Sequence, residues 1–161
     1  MAVLTIKVVP EKILRTKAKK VNIIDRSIQK LLDDMVETMD WANGVGLAAP
    51  QVGVPLKAIV LGMPGEKPLY IINPEIVKKG EEITVEEGCL SIPGFRGEIK
   101  RCVSVTVKGL DYHGKPLRLK ATELFAQALQ HEIDHVNGVL YIDHLESPDK
   151  LFKITSRDDE N

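Results

Sequence analysis

Cysteine and histidine are scarce in this chain: 161 residues carry two Cys and four His. Two thiols cannot build the disulfide framework of a small secreted domain, and a chain of this length buries roughly 70% of its unfolded surface, enough to fold without staples. Net charge is missing as well. Lys+Arg 22 against Asp+Glu 23 leaves -1 at pH 7, so there is no global basic field to grip nucleic acid or anionic lipid. No apolar run approaches the ~18 residues of a membrane span. The opening M-A-V-L-T-I-K-V-V-P lacks the basic flank and cleavage site of a secretory signal. Linkers, low-complexity tracts and internal repeats are absent, and Gly and Pro stand singly as punctuation. These absences predict one soluble, cytosolic domain over residues 1–161. With so few His and Cys, any metal site must come from six side chains, which makes their spacing informative.

The elements that are present read in order. Val3–Val9 reads as a strand, and Pro10 opens a short helical stretch, E-K-I-L-R-T-K-A. Asp25 is placed to cap an amphipathic helix in which Ile28, Leu31, Leu32, Met35 and Met39 share a face until Asn43-Gly44 ends it. Trp41, near that end, reads as a packing residue. Short β-rich runs follow at 57–61, 69–72 and 83–85. V-S-V-T-V at 103–107, a turn at Tyr112-His113-Gly114 and the returning P-L-R-L-K make a hairpin. Thr122 starts a second long helix, which stops at Asn137-Gly138. Helix, strand-rich middle, helix predicts an α+β fold.

The second helix contains H-E-I-D-H at 131–135. Histidines four apart project from one helix face and can share a metal, and the intervening glutamate can reach water bound to it. Winding at about 100° per residue puts Leu124, Ala128, Leu129, His131, Glu132 and His135 on the buried face, with Gln127, Gln130 and Asp134 on the solvated one. A buried ionised glutamate between two imidazoles needs a positive partner, and a divalent ion is the simplest. An open catalytic site needs a third ligand. The spacing H-E-x-x-H-x-x-G-x-x-H would put a histidine at 141, where this chain has Tyr141. His144, Cys89 in E-G-C-L-S and Cys102 are the remaining candidates, Cys102 reading as an ordinary strand thiol. The segment G-V-G-L-A-A-P-Q-V-G at 44–53 reads equally as a run that lets backbone approach a ligand and offers the Gln51 amide, or as a tight buried connection with Gln51 bonded to backbone. It matches neither a phosphate loop nor a dinucleotide fingerprint, since no G-K-[ST] follows and it succeeds a helix.

Taken together, G-V-G-L-A-A-P-Q, E-G-C-L-S and Q-H-E-I-D-H, in this order and spacing, resemble the peptide deformylases, and the resemblance runs from about Val9 to Leu145. It implies small antiparallel sheets packed around the helix that bears H-E-I-D-H, with Cys89, His131 and His135 as metal ligands. Glu132 would be the general acid and base, and Gln51 with the Leu90 N–H the oxyanion hole. Gly44, Val45 and Gly46 would line the substrate channel, and Arg96 in G-F-R-G matches a substrate-side position. Val45, Leu124 and Ala128 would form an apolar pocket for a methionine side chain. The implied cofactor is one divalent ion, ferrous iron in the cell, with zinc, nickel or cobalt able to replace it. The implied activity is removal of formyl groups from nascent formyl-Met polypeptides in the bacterial cytoplasm or an organelle, with transient ribosome contact and no membrane or specific nucleic-acid partner. The tail after Pro148, ending R-D-D-E-N, is not the long basic helix that family members often carry. Two rival readings are a zinc endopeptidase using His144 and a binding module stabilised by a four-ligand structural metal.

Overall fold

A computed structural model describes residues 2–154; the acidic tail end lies outside them. Helix α1 (Arg26–Trp41) begins as expected, with Asp25 accepting a hydrogen bond from the Ile28 N–H at 3.2 Å. Its apolar stripe packs on strands β1 (Gly46–Ala48) and β2 (Ala58–Leu61), where Leu32, Met35 and Met39 meet Leu47, Ala58 and Val60. Trp41 overturns the packing expectation. It lies two residues, about 200°, beyond Met39, off the stripe, and is 70% exposed.

Strands β1, β2, β3 (Leu69–Lys79), β6 (Ser104–Leu110) and β7 (Pro116–Thr122) form an antiparallel sheet in the order β1-β2-β3-β6-β7. Its other face receives α2 (Glu123–Val136), whose Ala126, Leu129 and Ile133 pack with Ile59, Leu61, Ile71, Val105 and Val107. With a helix on each face, β2 is buried at every position, which is why it reads as a continuous apolar run. The β6–β7 hairpin is as expected. Strand β3 runs well past the expected end at 72, because the turn-like Asn73-Pro74 sits in a bulge where the β3–β6 register shifts. The Asn73 side chain there bonds the Val21 N–H and C=O at 2.8 and 2.9 Å.

Strands β4 (Glu82–Cys89), β5 (Ile92–Cys102) and β8 (Leu151–Lys153) make the second sheet, in the order β4-β5-β8. Only 83–85 of it was expected, since Pro93, Gly94 and Gly97 look like punctuation. Gly97 is instead a packing requirement: a Cβ there would lie 2.8 Å from the Tyr141 ring.

Val3–Val9 is the clearest correction among the elements. It belongs to no strand and bonds to loops and side chains instead. Ala2 N–H donates to Asp34 at 2.7 Å, Leu4 to the Thr38 hydroxyl at 2.8 Å, Lys7 to the Gln51 carbonyl at 2.7 Å and Val9 to the Ser91 carbonyl at 2.9 Å. The helical stretch after Pro10 is a single 3-10 turn, Lys12–Arg15. Helix α2 stops as expected at Gly138, φ 76°, where a Cβ would press to 2.7 Å from the Arg15 carbonyl.

Candidate metal centre

Helix α2 runs between the two sheets, so most of its circumference is buried from Ala126 onward. That explains both successes and failures of the helical wheel. His131, Glu132 and His135 are buried as expected, but so is Gln130, assigned to the solvated side. Its amide bonds both the N–H and C=O of Cys102 at 2.9 Å. Leu124, assigned to the buried face, is 48% exposed because it sits in the first turn, at the mouth of a cleft.

Distance separates the three candidates for a donor beside His131 and His135. Cys89 Sγ lies 3.3 Å from His135 Nε2, which lies 3.2 Å from His131 Nε2. Together they form a donor set within 4.8 Å. Tetrahedral bonds of ordinary length separate two nitrogens by about 3.3 Å and a nitrogen from a sulfur by about 3.6 Å, so these spacings fit one ion. His144 is turned away onto Asp134, and the Tyr141 ring stacks beside His131, centroids 6.3 Å apart. Cys102 ends β5, outside the donor set.

A side chain that sequence reasoning missed orients His131. Glu87 Oε1 lies 2.6 Å from His131 Nδ1, and the Arg101 guanidinium grips the same carboxylate at 2.8 and 2.9 Å. Burial alone would neutralise Glu87, but Arg101 and His131 outweigh it and hold the carboxyl at about 2. An ionised Glu87 accepts the proton of Nδ1–H and leaves the Nε2 lone pair facing the cluster. Burial also opposes charge on His131, yet Glu132, Cys89 and Glu87 around it draw positive charge strongly enough to raise it well above the usual imidazole value. His135 is pushed the other way, first by burial and then by His131 and Arg101. Such a surplus of negative groups suits a cation.

Glu132 is buried beside the cluster, and its Oε1 has no protein partner. Burial raises its carboxyl to about 7, Glu87 and Asp134 adding to the rise while His131 and Arg101 oppose it. A Cβ at position 46 would fall 2.5 Å from Glu132 Oε2, so only glycine leaves room for that carboxylate. Gln51 is buried too, its Oε1 accepting from the Ala48 N–H at 2.9 Å. That bond turns Nε2 toward the Ser91 hydroxyl, 3.1 Å away, and Cys89 Sγ, 3.7 Å away. Ser91, fully buried, was not among the expected site residues.

These groups open into a cleft of about 420 Å³. Gly44, Val45, Gly46, Gln51, Cys89, Leu90, Arg96, Leu124, Ala128, His131 and Glu132 all line it, and His135 lies behind. Arg96 bonds Glu86 at 2.5 Å at the rim. Phe95, Gln127 and Ile154 also face the cleft, without a signal in the sequence to single them out.

An α+β domain with a cysteine sulfur and two imidazoles converging beside a buried glutamate defines a metal-dependent hydrolase. The chain belongs to the polypeptide deformylase family, whose model matches residues 3–151. Its sequence is 57% identical to the peptide deformylase of Dehalococcoides mccartyi strain CBDB1 over 160 residues, 99% of this chain and 96% of the relative. With the enzyme of Thermodesulfovibrio yellowstonii it shares 51% over 149 residues, 90% of each. The crystal structure of a Legionella pneumophila peptide deformylase superposes with a TM-score of 0.89 at 47% identity, covering 92% of this chain and 89% of that one. One from Synechococcus elongatus in complex with actinonin gives 0.88 at 40%, covering 91% and 81%.

Proposed function

We infer that this enzyme hydrolyses the N-formyl amide of newly made formyl-Met polypeptides, with Cys89, His131 and His135 holding the ion. The observation that carries this reading is the convergence of that donor set, the buried Glu132 and the Gln51 amide on one cleft. A divalent ion bound there supplies Lewis acidity and a water acidic enough to lose a proton near neutral pH. Glu132 takes a proton from the attacking water and later gives it to the departing amine nitrogen. Water oxygen bonds to the formyl carbon, the C–N bond breaks, and formate and a free α-amine result. Gln51 Nε2 and the Leu90 N–H donate to the oxygen that becomes negative in between. Val45 and Leu124 offer exposed apolar surface in the cleft, and with Ala128 they accept the methionine side chain. Gly44 and Gly46 let the substrate backbone approach, and Arg96 flanks it.

A thiolate with two imidazoles suits several first-row ions; ferrous iron in the cell follows from the family resemblance. No helix among the described residues is long and apolar enough to cross a membrane, and the similar proteins named above are bacterial; we assign the enzyme to the cytoplasm, where it meets chains leaving the ribosome. The test is formate release from formyl-Met-Ala-Ser under anaerobic conditions, with and without chelator. Release that stops on chelation and returns with ferrous iron is expected; cleavage of internal peptide bonds instead would overturn the reading.

A further inference from the structure

The polar contacts of His131 do not end at Glu87. The Arg101 guanidinium, besides its fork on Glu87, donates through Nη1 to Asp134 Oδ2 at 2.6 Å, and His144 Nε2 reaches the same oxygen at 2.9 Å. The Arg101 and Glu87 side chains are only 4% and 5% exposed. Burying the Glu87 carboxylate and the Arg101 guanidinium is costly, and well-packed apolar side chains would often do as well for stability alone. The line of contacts crosses four elements and ends at His131. His144 also belongs to the 3-10 turn Tyr141–His144, whose Tyr141 ring stacks beside His131. One turn therefore braces that imidazole twice, by its ring and through Asp134.

We propose that Asp134, steadied by His144, is a positioning residue for the metal centre: it pins Arg101 so that the guanidinium fork holds Glu87 in place to fix the tautomer and ring plane of His131. Without Asp134, Nη1 loses its anionic partner and the fork is free to turn off Glu87. Glu87 then no longer dictates which nitrogen of His131 carries the proton, and Nε2 is presented to the ion only part of the time. The proposal rests on His131 being a ligand, as inferred above.

Cobalt(II) is the probe, bound to the full chain. Asp134→Asn and Arg101→Lys are expected to release cobalt to excess chelator about 10- to 100-fold faster and to shift its visible absorption bands. Asp134→Glu should restore both in part. His144→Gln, at a partly exposed position, should speed release a few-fold. Lower melting temperatures with release rates and absorption bands unchanged would mean a purely structural network and overturn the proposal. His131→Ala separates the two levels. If that variant still binds cobalt stoichiometrically, the ligand assignment itself fails; if it loses cobalt while Asp134→Asn behaves as wild type, only the positioning role fails.

Discussion

Glu132 has an unpartnered oxygen, a glycine cleared in front of it and a carboxyl raised to about 7 by burial. It lines the same cleft as Cys89 and His131 without being one of the donors. Glu132→Ala is therefore expected to retain stoichiometric metal by elemental analysis while formate release falls to near background; near-normal turnover would exclude it as the proton carrier. Gln51→Ala should cost about 3 kcal/mol of transition-state stabilisation, read as a drop of about 10²-fold or more in kcat, with metal content unchanged. Residues of this kind were legible because their chemistry is local: H-E-I-D-H on one helix and a lone glutamine in a small-residue run. Glu87, Ser91 and Arg101 were not, because each is one of many similar side chains and matters only through partners far along the chain, such as His131 for Glu87.

Elements with clean periodicity, α1, α2 and the β6–β7 hairpin, were read correctly from the sequence. Those with turn-like residues inside them were not. Strands β3 and β5 absorb Pro74 and Gly97, and what accommodates the first and requires the second, a bulge and a tyrosine ring, comes from tertiary neighbours. Gly97→Val tests this at the scale of the second sheet. Its side chain would be driven into Tyr141, and overpacking of this sort costs about 1–3 kcal/mol. Chemical denaturation should show that loss, whereas a neutral outcome would mean that β5 shifts freely against the 3-10 turn.

For the whole molecule, the metal is expected to add to folding stability, since ligands from β4 and α2 come together only in the native chain. At 100-fold over its dissociation constant an ion contributes about 2.7 kcal/mol, equivalent to roughly 5–10 °C in a domain of this size. Stripping it with chelator should lower Tm by that amount in wild type and leave a Cys89→Ser variant little changed. Acid should also act away from the metal centre, at Asp34. The Asp34 carboxyl is held below its ordinary value, chiefly by Lys30 against the opposing effect of burial, with the Ala2 N–H helping. Stabilisation of this kind is complete above the unfolded pKa of about 4 and is lost as pH falls through the lower folded value. The stability gap between wild type and Asp34→Asn should thus be constant from pH 7 to pH 5 and close below pH 4.

The leading segment, Ala2–Val9, gives the molecule an unusual dependence on its own front end. Lys7 and Val9 reach the carbonyls of Gln51 and Ser91, one from the glycine-rich run and one from the β4–β5 connection, and those two residues also meet through their side chains. The segment is a suture drawn across two flaps of the cleft wall. Loosening it would free the Gln51 run from the Ser91 turn on that side and release the Asp34 and Thr38 side chains of α1 from the same thread.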